Sequence, residues 1–345
     1  MRINSVRVYS TARLFFLFMF IVCFAFAAQA ANMRLTIAVP GPGNLLFLPV
    51  ELAKAIGADA AEGVDMNIRF FGGGPQTIQD MLEGNSEFSA CGIPALAQQR
   101  ASGKPVKSIV AFTRVPAYAL MVRSNLKGKV HKIADLKGRV IGVKGHTKGG
   151  RSTTQMFTEY ILAKNGVSPD SVDFQPAGQD YEGQYAAISG GGMDAIMGDE
   201  PFASRLERQG VVYYLADFHD LAAVRKLMGG LFLNAQTATR ENVIAQRPEA
   251  AEKMVRVMQR ALRWINQHSA DEVADAMHFQ NAGERAALAR TLGKYKNIYT
   301  PDGAFSDEQV TTTERFYHKV EESNAAAQGL KFKDLIADQW AGHTH

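Results

Sequence analysis

The sequence predicts an α/β protein built as two open, mostly parallel sheets, each with helices on both faces, and a helical carboxy-terminal region. Three observations predict it. Short apolar strands alternate with helix-length segments three times before residue 113. The same alternation restarts near residue 117 and runs to about residue 216. From Pro248 onward the spacing of apolar residues is almost wholly helical. Strand–helix alternation with connections of a few residues is the pattern of a parallel sheet.

The elements follow in order. A leader occupies residues 1–30: Arg2, Arg7 and Arg13 precede an unbroken apolar run over 14–28, and Ala28-Gln29-Ala30 is a small-x-small cleavage site. That is the layout of a cleaved secretory signal. The chain's formal charge is +4, and removing three leader arginines leaves +1. The basic balance therefore gives no support for nucleic-acid binding. Cys23 leaves with the leader, so Cys91 stands alone and neither a disulfide nor a two-cysteine metal motif is expected.

The mature chain opens with a strand over 33–39, a Pro-Gly-Pro-Gly-Asn turn over 40–44, and a helix that tolerates Pro49 only in its first turn. Leu48, Leu52, Ala55 and Ile56 give that helix an apolar face. A strand over 66–71 runs into Gly72-Gly73-Gly74-Pro75 and a helix to about residue 83. Strands over 88–91 and 106–113 flank a helix that starts at Pro94. In the second unit, strands are expected over 119–123, 140–143, 172–176, 195–197 and 211–216, with helices over 152–164, 183–189 and 201–209. The tail reads as helices over 251–267, 270–278, 282–294 and 307–326, returning to cover the first unit.

In open sheets of this kind, ligands sit beyond the carboxyl ends of the strands. Gly145–Ser152 there reads GHTKGGRS, one residue from the phosphate-loop pattern, with Arg151 in place of the lysine. Arg and Lys are not interchangeable where a point charge reaches between phosphates, and an exported protein meets no ATP pool. What remains is a helix start with glycines, cations (Lys144, His146, Lys148, Arg151) and hydroxyls (Thr147, Ser152, Thr153, Thr154). Such a cradle suits an oxyanion. The competing reading is a solvated basic turn with Ser152 or Thr153 as an ordinary cap.

Gly41–Asn44, Gly72–Gln76 and Cys91-Gly92 place small residues at the other strand ends. Singly each reads as a tight turn; together they would open on one side of one sheet. In Gly198-Asp199-Glu200-Pro201 a carboxylate can hold an amine or hydroxyl of a ligand, or cap the next helix. Arg114 ends the fourth strand, placed either to reach a cleft or to pair with a surface acid. The histidines show no metal-ligand spacing, no nucleophile elbow appears, and no cofactor is implied.

Several stretches carry a likeness to a known family: NLLFLPVELAKAIG (44–57), GGGPQTIQDMLEGNSEFSACGIPALAQQRASG (72–103), IADLKGRVIGVKG (133–145), YILAKNGVSPDSVDFQPAG (160–178) and ISGGGMDAIMGDEPFASRL (188–206). The chain resembles the periplasmic substrate-binding proteins of ABC importers in the nitrate, sulfonate, taurine and thiamine-precursor group. The resemblance implies a two-lobed type II periplasmic-binding fold, with lobe 1 over 31–116 plus 220–345 and lobe 2 over 117–219. It implies a monomeric, non-enzymatic periplasmic receptor that hands a small organic anion to an inner-membrane permease and its ATPase. The family's binding positions fall on Asn44, Leu45, Gly73, Gly74, Gln76, Cys91 and Gly92 in lobe 1. In lobe 2 they fall on His146, Thr147, Arg151, Ser152, Thr153 and Glu200. Two alternatives stay open: an exported enzyme on the same fold, and a receptor for a thiamine pyrimidine precursor. The cysteine-rich signature of the related eukaryotic pyrimidine enzymes is absent.

Overall fold

The computed structural model describes residues 32–144, 151–178 and 180–344. The expected leader, and His146 and Thr147 of the basic loop, lie outside the described residues. The strands are β1 (Met33–Pro40), β2 (Val64–Phe71), β3 (Phe88–Gly92), β4 (Val106–Ala111), β5 (Tyr118–Arg123), β6 (Val140–Val143), β7 (Asp173–Pro176), β8 (Ala195–Asp199), β9 (Val212–Asp217) and β10 (Ala235–Arg240). They form two five-stranded sheets, in the orders β2-β1-β3-β10-β4 and β7-β6-β8-β5-β9. The chain crosses from the first sheet to the second between β4 and β5, and returns between β9 and β10.

Both sheets share one plan. β1 runs parallel to β2 and β3, and β6 runs parallel to β7 and β8. The strand that enters after each crossover inserts antiparallel: β5 between β8 and β9, and β10 between β3 and β4. The sequence expectation assigned no element between residue 217 and Pro248, and so did not contain β10. Its residues AQTATR carry no apolar run, yet Gln236, Thr237 and Thr239 are fully buried. Two of the three have side-chain donors with partners: Thr239 donates to the Glu87 carbonyl at 2.8 Å, and Gln236 donates to the Cys91 sulfur at 3.0 Å.

Counting helices of seven residues or more, the first unit carries α1 (Leu48–Ala55), α2 (Gly74–Leu82) and α3 (Ile93–Ala101). The second carries α4 (Thr153–Lys164), α5 (Tyr181–Ser189) and α6 (Phe202–Arg208). Then follow α7 (Leu221–Met228), α8 (Pro248–Gln267), α9 (Ala270–Ala276), α10 (Ala282–Tyr295) and α11 (Asp307–Val320). Pro49, Pro75 and Pro94 all fall within a first helical turn, where the missing N–H has no partner to lose.

α8 shows why the tail returns to the first unit. Val255, Met258, Leu262 and Ile265 form one fully buried stripe, and α8 packs on α1 and β4. Each such side chain contributes about 1.5–3 kcal/mol on burial. The expected helix over 307–326 stops at Val320, and a short one resumes at Ala325, capped by Asn324. α11 also reaches the second unit. Its Phe316 lies 6.1 Å from Phe157 of α4, and the Phe157 ring packs edge-on to Phe218 at 5.0 Å. The tail therefore covers the first sheet and braces one helix of the second.

Candidate functional site between the two sheets

The carboxyl ends of β1, β3, β6 and β8 converge with the starts of α2, α3 and α4 on one small cavity of about 40 Å³. The first unit lines it with Asn44, Gly73, Gly74 and Gly92. The second contributes Tyr118, Lys144, Ser152, Thr153, Thr154 and Asp199. That volume admits little more than water, since one water occupies roughly 30 Å³ of liquid.

Its centre is a buried charge pair clasped from the other side. The Lys144 ammonium donates to both Asp199 oxygens, at 2.9 and 3.2 Å. Asn44 donates to the same carboxylate at 2.5 Å, across the gap between the units. The Asn44 carbonyl oxygen meanwhile accepts from Leu46 N–H at 2.9 Å, so one side chain caps its own turn and bridges the cleft. Lys144 is 5 % exposed and Asp199 1 %. Deleting one partner of such a pair leaves an uncompensated charge, at about 3–5 kcal/mol. The Lys144 ammonium also lies 5.4 Å from the centre of the Phe202 ring.

Hydroxyls and helix starts complete the lining. Burial pushes the Tyr118 phenol up to about 12, so it stays a neutral donor. Ser152 caps α4 by accepting from Gln155 N–H at 3.1 Å. Thr153 accepts from Ala95 N–H at 3.3 Å, placing the start of α4 against the start of α3.

Of the residues expected at a binding site, Asn44, Gly73, Gly74, Gly92, Ser152 and Thr153 come together on this cavity. Others point elsewhere. Leu45 is buried; its N–H donates to the Glu200 carbonyl at 2.9 Å and its carbonyl accepts from Tyr299. Gln76 is exposed on α2. Cys91 is fully buried, and burial pushes its thiol up to about 12, far from a reactive thiolate. Arg114 donates to the Asn297 carbonyl at 3.1 Å.

Arg151 and Glu200 are placed differently from the sequence expectation, for a physical reason in each case. Arg151 bonds Glu159 on its own helix at 2.6 Å and reaches Glu321 in the tail. Glu321 also accepts from Gln98 of α3 at 2.9 Å. The guanidinium thus ties the units together outside the cavity. The Glu200 carboxylate accepts from the Ser204 hydroxyl at 2.9 Å, Ser204 N–H at 3.2 Å and the Tyr214 hydroxyl at 2.7 Å. Glu200, just past the end of β8, is thus turned to Ser204 and Tyr214, and Asp199, the last residue of the strand, is the acid that faces the cleft. Tyr118, first residue of β5 and cross-strand partner of Asp199, carried no motif.

Residues 46–271 match the family model described as NMT1/THI5 like. The chain is similar to the riboflavin-binding protein RibY of Chloroflexus aurantiacus, 28% identical over 248 residues, 68% of this chain and 63% of that protein. Its fold is similar to that of a Bordetella bronchiseptica RB50 protein, with a TM-score of 0.79 at 24% identity, covering 91% of this chain and 96% of the other. It is also similar to the alkanesulfonate-binding protein SsuA of Xanthomonas axonopodis pv. citri bound to MOPS, with a TM-score of 0.70 at 17% identity, covering 90% and 100%. The chain belongs to the NMT1/THI5-like family and has the fold of the periplasmic solute-binding proteins.

Proposed function

We propose that the chain is an exported receptor of an ABC importer, which captures a small solute between lobe 1 (31–116 plus 220–345) and lobe 2 (117–219) and delivers it to a permease. The leader expected over 1–30 places it in the periplasm. The observation that carries the reading is the Asn44–Asp199–Lys144 bridge, which joins the two sheets around a cavity built from strand and helix ends. A solute too large for about 40 Å³ enters only when the lobes part, which is hinge closure around a ligand.

The solute we propose is a small organic acid that also carries an amine, such as an aminosulfonate. The starts of α2, α3 and α4 turn partial positive charge towards an acid head. Lys144 cannot act as a free cation, because Asp199 cancels its charge. A bare anion would face that carboxylate unrewarded, whereas an amine would be held by it. The carboxylate that the sequence offered to a ligand amine over 198–201 is thus Asp199.

Thermal unfolding in the presence of aminoalkanesulfonates, alkanesulfonates, carboxylates, nitrate, pyrimidines and riboflavin tests this. A bound solute at a hundred times its Kd stabilises by about 2.7 kcal/mol. The zwitterions should stabilise most, and the paired variant Lys144→Met/Asp199→Asn, which avoids a lone buried charge, should abolish the effect. A response confined to nitrate, or to a neutral heterocycle, would overturn the ligand assignment.

A further inference from the structure

A second and larger cavity, of about 320 Å³, lies between α1, α6 and α10. No residue lines both it and the polar cleft. The segments dividing them are joined by the Leu45 N–H to Glu200 carbonyl bond, with Gly43 and Phe202 on the far side and Asn44 and Asp199 on the near side. Its walls are mainly apolar: Leu48 from the first unit, Phe202 from the second, and Phe279 and Leu288 from the tail.

One carboxyl stands on this apolar wall. Glu51 accepts from Gly43 N–H at 2.9 Å, and burial pushes the group up to about 7. Asp180, Glu182 and Glu284 add carboxylates to the lining. Among the described residues the one cation in the lining is Arg205, and it is engaged: it stacks on the Tyr181 ring at 3.5 Å and lies 3.7 Å from Glu182. Aromatic faces and a surplus of carboxylates both attract positive charge. The volume is that of a small-ligand pocket.

We propose that this cavity is a second binding site, which takes a small organic cation consisting of one ring and one ammonium group. The ring packs on Phe202, Phe279 and Leu288, and the ammonium is held by Glu51. Both units line the cavity, so the cation favours the arrangement in which they are closed. By linkage it then raises the affinity of the cleft for its solute by the factor by which that solute raises its own.

Calorimetric titration of the full chain with benzylamine, benzyl alcohol and benzoate tests the site. Benzylammonium should bind saturably and about tenfold or more tighter than the alcohol, with benzoate weakest. Glu51→Gln should weaken benzylamine about tenfold while keeping the Gly43 bond. Ala287→Trp, which fills the cavity from α10, should abolish binding. Equal binding of amine and alcohol, no binding of the amine, or an affinity unchanged by both Glu51→Gln and Ala287→Trp would each overturn the proposal.

Discussion

Gly92→Ala isolates closure from folding. Gly92 has φ −78° and ψ 134°, an extended conformation open to any residue, so its backbone does not require glycine. The approach of the other unit does. A Cβ there would lie 2.2 Å from the Thr153 hydroxyl oxygen and 2.7 Å from its Cβ. Ordinary carbon contacts sit at roughly 3.5–4.0 Å, so the units must part locally by about 1 Å. Overpacking of this kind costs about 1–3 kcal/mol, and on the proposed closure the cost falls on the closed form, where Gly92 and Thr153 meet. At about 1.4 kcal/mol per factor of ten, solute affinity should fall roughly 5- to 150-fold. Calorimetry gives the affinity, and the melting temperature without solute reports any damage to the fold. Adding Thr153→Gly removes both clashing atoms and should restore part of the loss, as a double-mutant cycle measures. Unchanged affinity in Gly92→Ala, or an equal loss with and without Thr153→Gly, would refute the reasoning.

Two further perturbations follow from the same geometry. Arg151→Ala removes the tie from α4 to Glu321, and should weaken every solute by one common factor of about threefold to tenfold; a change in the ranking of solutes would instead put Arg151 at the ligand. Asp217 concerns acid stability. Burial would raise its carboxyl, but the hydrogen bond and charge of His219 and the Tyr295 hydroxyl hold it down at about 2. A carboxylate depressed below its unfolded value of about 4 adds stability above that pH and loses it as pH falls towards the folded value. The stability gap between wild type and Asp217→Asn should therefore be constant near neutrality and close between roughly pH 4 and pH 2. A gap that persists below that range would contradict the assignment.

How much of this was legible in the sequence depends on what each element buries. β1 and α8 announce themselves because their apolar residues recur at the period of the element. β10 does not, because its buried positions include Gln236, Thr237 and Thr239, polar residues that no apolar periodicity records. The parallel strands were readable from strand–helix rhythm. The antiparallel insertion of β5 and β10 was not, since each follows a crossover and sits between strands distant in sequence. At the site, the glycine-bearing strand ends were readable as a set, because close approach needs small residues wherever the partner comes from. The charges were misread one position at a time. Asp199 ends β8 and faces the cleft, whereas Glu200, next in the sequence, lies past the strand and turns to Ser204 and Tyr214. Arg151 and Lys144 flank one basic loop, yet one binds acids outside the cleft and the other binds an acid within it.

The most direct test of the account is a crystal structure of the protein with the solute that stabilises it most. The solute should lie between the two sheets, its acid group at the starts of α2, α3 and α4 and its amine on Asp199, with the Asn44–Asp199 bond opened to admit it. A solute bound wholly within one sheet unit, or with Asn44, Lys144 and Asp199 still clasped and untouched, would contradict it.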